Sequence, residues 1–151
     1  MDWIENAIAV AQRNNGNAAL MFIDLDGFKA VNDSRGHNAG DALLKDIANR
    51  LIESVRKTDT VARIGGDGFV ILLAAIPNEQ MATSVVTDVL KALSNPFNLN
   101  NKAANINGSI GISFYPQHGE DAEELLKQAD SAMYSVKKRG ENSISTASVL
   151  T

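Results

Sequence analysis

Three carboxylates and a glycine-rich turn define the chemistry open to this chain. Asp24 and Asp26 stand at the end of the apolar run Ala18–Leu25, and Asp67 sits within Gly65-Gly66-Asp67-Gly68 between two β-prone runs. Mg²⁺ takes hard oxygen ligands, usually one or two carboxylates completed by phosphate oxygens and water. Carboxylates brought together from separate strands would make such a site. The plainer alternative, that Asp24 and Asp26 only cap a following helix, stays open on these residues alone. A hairpin tip made mostly of glycine lets another molecule approach its backbone closely. Arg56-x-x-Asp59 is a weaker signal, since four-residue pairs of this kind are frequent at helix ends. His37 and His118 are far apart and read as a turn residue and a loop residue. Lys137-Lys138-Arg139 reads as a helix-end charge cluster with one phosphate-facing member rather than a nucleic-acid patch.

These residues need elements to hold them. Ile4, Ala7, Ile8 and Ala11 predict a helix over 3–14, and Ala18–Leu25 reads as a strand buried on both faces. A short helix over 28–32 and an amphipathic one over 40–57, with Leu44, Ile47, Ala48, Leu51, Ile52 and Val55 on one stripe, come next. Strands at 59–64 and 69–75 flank the glycine turn, and a helix over 78–93 follows Pro77. Strands at 97–99 and 103–114, a helix from Ala122 to the Lys137–Gly140 region and an edge strand over 142–149 complete the order. Helices alternating with strands around a central hairpin predict one mixed sheet flanked by helices.

A length of 151 residues fits one domain, and 44% hydrophobic with 21% charged residues is a globular rather than a disordered composition. The net charge of −4 argues against general nucleic-acid binding, which needs a basic surface. With no cysteine there are no disulfides or thiolate metal sites. No apolar run approaches the roughly 20 residues of a membrane span. Asp2 and Glu5 do not make the basic start of a signal peptide. The expectation is a soluble chain with no membrane contact of its own.

One long ordered pattern goes further. Asp24-x-Asp26-x-Phe28-Lys29-x-x-Asn32-Asp33-x-x-Gly36-His37-x-x-Gly40-Asp41 is followed by Arg63-x-Gly65-Gly66-Asp67-x-Phe69, Asn107-x-Ser109-Ile110-Gly111-Ile112 and Ala129-Asp130-x-Ala132-Met133-Tyr134. Over roughly 18–142 this closely resembles the GGDEF domain of diguanylate cyclases. The resemblance implies a nucleotidyl cyclase-like (ferredoxin-like) α/β fold with a mixed, mostly antiparallel five-stranded sheet flanked by helices. It implies a dimer of GTP-loaded domains in which each 3′-hydroxyl attacks the opposite α-phosphate, giving cyclic di-GMP and pyrophosphate. By similarity, Asp24, Asp67 and the Leu25 carbonyl would hold Mg²⁺, and Asn32 and Asp41 would bind guanine. Lys29 and Lys137 would hold the terminal phosphates, Gly65 and Gly66 would let the nucleotide lie against the backbone, and Arg56 and Asp59 would form a product-binding inhibitory site. No second arginine that would complete that site is found in the 78–93 helix.

Two departures bear on activity. Gly68 stands where the family has Glu, beside the catalytic Asp67, and Glu141 stands where the family usually has Arg. Loss of a positioned acid–base group costs about 10²–10⁴-fold in rate, and loss of a metal ligand adds to that. The expectation is a catalytically impaired regulatory module that binds GTP or cyclic di-GMP, with weakened Mg²⁺ binding. An active cyclase of low rate and a dimerisation domain without nucleotide are the alternatives. The chain also lacks the Asp-x-Leu-Thr-Gly-Leu-x-Asn-Arg stretch that usually precedes this domain. It therefore reads as a piece of a larger multidomain signalling protein carrying a sensor or phosphodiesterase domain, in the bacterial cytoplasm or on the cytoplasmic side of a membrane anchor.

Overall fold

The computed structural model describes residues 2–14, 16–26, 28–64, 68–99, 101–138 and 143–146. Its elements run α1 (Asp2–Arg13), β1 (Asn17–Asp26), α2 (Phe28–Arg35), α3 (His37–Glu53), β2 (Thr60–Ile64), β3 (Gly68–Ile76), α4 (Glu79–Ser94), β4 (Phe97–Leu99), β5 (Lys102–Ala104), β6 (Asn107–Tyr115), α5 (Ala122–Lys138) and β7 (Ser143–Thr146). Five strands form one sheet in the order β2-β3-β1-β6-β7. All its pairs are antiparallel except β6 with β7.

β1 is central because its side chains are apolar on both faces. Ala19, Met21, Ile23 and Leu25 join Leu43, Ile47, Leu51, Val86 and Leu93 in a core under α3 and α4. Ala18 and Leu20 join Ile4, Ile8, Leu125 and Ala129 in a second core under α1 and α5. The strict alternation of a strand assigns each residue to one of these layers. At Gly111 on β6, a Cβ would overlap the Ala129 carbonyl and the Met133 amide, so α5 packs directly on the strand backbone.

The 103–114 segment departs from the expected single strand. Lys102–Ala104 turns back on Phe97–Leu99 as a separate two-stranded hairpin, and only Asn107–Tyr115 enters the main sheet. Asn101, at φ +64°, takes the left-handed conformation that this tight reversal needs and that asparagine tolerates. α3 also lies earlier than its apolar stripe suggests. Gly36 at φ +89° starts it just before His37. Its end at Glu53 leaves Arg56 free to bind Asp59 instead of continuing the helix. Arg50 then ties α3 to α4, donating to the carbonyls of Ala92, Asn95 and Pro96 while its guanidinium lies 3.5 Å above the Phe97 ring. These bonds satisfy carbonyls that the end of α4 leaves without helical partners.

Candidate nucleotide-binding site

The reversal from α2 into α3 builds a cleft against β2. The Gly36 amide donates to the Asn32 carbonyl at 3.0 Å and the Gly40 amide to the Gly36 carbonyl at 3.1 Å, so Asn32, Gly36 and Gly40 are linked in series. Gly40 is buried under the Asn32 side chain, whose Oδ1 occupies the place a Cβ would take. The resulting cleft of about 300 Å³ is lined by Phe28, Lys29, Asn32, His37, Asp41, Leu44 and Arg63. Three residues singled out in the sequence, Lys29, Asn32 and Asp41, thus meet in one place. His37 and Arg63 join them without having been assigned a site role. His37 reads as turn punctuation between two glycines. For Arg63 the usable signal is strand parity, which puts it on the same face as its cross-strand neighbour Phe69, toward α3. An acceptor, an amide, two cations and the apolar Phe28 and Leu44 suit a polar planar ring bearing an anionic tail. A neighbouring groove of about 440 Å³ continues along α3 past Lys45, Ala48 and Ile52.

Asp24 lies at the end of β1, half-buried, in register with Gly68 on one side and Ser109 on the other. Its parity with Ala18 and Leu20 places it toward the α1 and α5 layer, whereas Leu25 is buried toward α3 and α4. Gly65, Gly66 and Asp67 lie outside the described residues, as does Glu141. Lys137 falls in α5 with its side chain outside the description, and so does the side chain of Asp26. The residues described hold no group of three or more His, Cys, Asp or Glu able to bind a metal.

Arg56 and Asp59 hold each other. The Arg56 backbone N–H and Nε donate to Asp59 Oδ2 at 3.0 and 3.1 Å, and Nη2 donates to Oδ1 at 2.9 Å. Nη2 also reaches the Ala74 carbonyl at 2.8 Å. The Asp59 side chain is fully buried by this arrangement and that of Arg56 is 37% exposed.

The sequence profile described as "Diguanylate cyclase, GGDEF domain" matches residues 2–143. This chain belongs to the GGDEF family. It is 44% identical over 141 residues to the bifunctional diguanylate cyclase/cyclic di-GMP phosphodiesterase MucR of Pseudomonas aeruginosa, covering 93% of this chain and 20% of that protein. The crystal structure of the GGDEF domain of TpbB from the same organism superposes with a TM-score of 0.94 at 34% identity, over 99% of this chain and 93% of that one. An EAL/GGDEF domain protein from M. capsulatus gives 0.85 at 43% identity, over 95% and 92%. The chain spans about a fifth of the length of MucR. The GGDEF fold here is a mixed sheet between helices, and the small β4–β5 hairpin stands apart from its five strands. No described helix is long and apolar enough to cross a membrane.

Proposed function

We propose that this GGDEF domain is a catalytically impaired, nucleotide-binding regulatory module within a larger cyclic di-GMP signalling protein. The observation that carries the reading is Gly68, opposite Asp24 in the sheet and in the place of the family's glutamate. A carboxylate there would be a direct cross-strand neighbour of Asp24, on the same face. Glycine supplies neither a metal ligand nor a base.

GTP is the ligand that the α2–α3 cleft supports, with guanine against Asn32 and Asp41 and phosphates toward Lys29 and Lys137. Cyclic di-GMP has a second place at Arg56 and Asp59, where it must displace their mutual pairing. Mg²⁺ fits the donor set only in part. Asp24 and the Leu25 carbonyl are hard oxygen donors at one strand end, to be completed by Asp67, and the fourth oxygen source of the family is missing. When bound, the ion would draw charge from the phosphates. The chain's own residues orient the base and hold the phosphate tail.

The relatives' names support attachment to a phosphodiesterase or sensor domain, and residues 1–151 as one domain of that assembly. On this reading the protein works in the bacterial cytoplasm or on the cytoplasmic face of a membrane anchor. Incubation with Mg²⁺ and GTP, followed by chromatography of the products, tests the reading. Binding of GTP with product formation at least 10²-fold below an intact family member is expected. Turnover at an intact rate would establish a working cyclase, and absence of any nucleotide binding would leave a contact domain.

A further inference from the structure

We infer that His37 is a positioning residue that fixes the direction of the Asn32 amide, and through it how the cleft reads a purine base; this rests on the nucleotide-binding reading above. Asn32 Nδ2 lies 3.4 Å from His37 Nδ1, and Asn32 Oδ1 is turned the other way, onto Gly40. A ring nitrogen that accepts from an amide carries no hydrogen, so this role requires the ring to carry its hydrogen on Nε2. The backbone that carries the ring is defined, because His37 is the first residue of α3, directly after Gly36 at φ +89°.

The direction of the amide matters because the other groups of the cleft have no choice of role. Lys29 and Arg63 only donate, and an ionised Asp41 only accepts. Asn32 is ambivalent until its neighbours decide. With one Nδ2 hydrogen directed at His37, the second remains to donate to an acceptor on the base, while Asp41 accepts from a base N–H. Guanine offers that combination through O6 and its N1–H and N2–H groups. An amide free to turn over would present either end and would discriminate less well against adenine, which carries a donor at C6 and an acceptor at N1 where guanine has the reverse; hypoxanthine keeps the O6 and N1–H of guanine and lacks only the N2 amine. Removal of His37 therefore changes selectivity among bases while leaving the phosphate contacts intact.

The experiment has two readouts on the 151-residue chain. The first is the Asn32 side-chain amide pair in ¹⁵N–¹H NMR spectra without nucleotide, compared among wild type, His37→Ala and His37→Gln. The second is competition among GTP, ITP and ATP with Mg²⁺ present. In His37→Ala the amide pair is expected to move toward the position of a solvent-exposed asparagine. The preference for GTP over ATP should fall about three- to tenfold, the effect of one net hydrogen bond. Gln, which can still accept, should restore both in part. Unchanged amide signals, or GTP binding with an unchanged preference, overturn the inference. Failure of every chain to bind any nucleotide overturns base reading together with the preceding proposal, and the amide signals then decide the contact of His37 with Asn32 by themselves.

Discussion

Gly68 is paired with Asp24 across the β1–β3 ladder, and with Ile64 on its other side, so a side chain at position 68 would emerge beside the Asp24 carboxylate. There is little space for it. A Cβ at Gly68 would lie 3.0 Å from the Ile64 carbonyl oxygen, so the start of β3 must give by a few tenths of an ångström. That shift is small beside the restoration of a missing carboxylate.

Gly68→Glu is therefore expected to raise cyclic di-GMP formation from Mg²⁺ and GTP by at least about 10²-fold. Product chromatography measures it, with Gly68→Gln as the control that adds bulk without charge. Equal rates for the Glu and Gln variants would show that the carboxylate is not what the site lacks.

Gly40→Ala separates binding from stability. Alanine in a helix interior is favoured over glycine by up to about 1 kcal/mol. At this position its methyl would claim the space of Asn32 Oδ1 and push the amide off its seat. The expected outcome is GTP binding weakened roughly tenfold, as for one displaced hydrogen-bonding group, with unfolding in urea changed by less than about 1 kcal/mol. Unaltered GTP affinity by calorimetry would mean that Asn32 does not contact the base.

The Arg56–Asp59 pair carries structure whatever else it binds. Asp59→Ala leaves the Arg56 guanidinium with only the Ala74 carbonyl as a partner among the described residues and removes a buried acceptor of three hydrogen bonds. Hydrogen bonds to charged groups contribute about 1.5–3 kcal/mol each in protected settings, and the partial exposure of Arg56 reduces that. A loss of about 2 kcal/mol in urea unfolding is expected for Asp59→Ala. On the proposed reading cyclic di-GMP would have to open this pair, so calorimetry on wild type and Arg56→Ala should show heat only for the former. Identical titrations would remove the product from this site.

Much of this arrangement is visible in the order of residue types, and the exceptions share a cause. β1 is legible because a strand buried on both faces is apolar at nearly every position. Lys29, Asn32 and Asp41 are legible as members of one ordered pattern, and the turn between α2 and α3 does bring them together. Arg50 is not legible. It lies at the edge of the buried face of α3, one heptad after Leu43, and its partners are backbone carbonyls 42 to 46 positions away that leave no trace in side-chain chemistry. The break between β5 and β6 is hidden because the strand-like alternation of buried Ala104 and Ile106 carries on across it, and the left-handed Asn101 at φ +64° marks only the β4–β5 reversal before it. His37 reads as punctuation because its partner is five residues distant, a spacing at which only the turned backbone creates contact.

His118, read from the sequence as a loop residue, is buried at the turn after β6. Its Nδ1 accepts the Phe114 N–H at 2.8 Å and its own N–H donates to the Phe114 carbonyl at 2.8 Å, with the two rings 5.8 Å apart. Burial pushes its pKa below the ordinary 6.5, and the Glu79 carboxylate opposes that only partly. The unfolded chain then takes up the proton at higher pH than the folded one. The stabilisation is fully present above about 6.5 and is lost as pH falls from there toward the folded value. Protonation also removes the lone pair that receives the Phe114 N–H. Urea midpoints measured between pH 7.5 and 5 should therefore decline more steeply for wild type than for His118→Gln, whose amide oxygen can accept the same N–H without titrating. Parallel declines would assign the acid sensitivity to other groups.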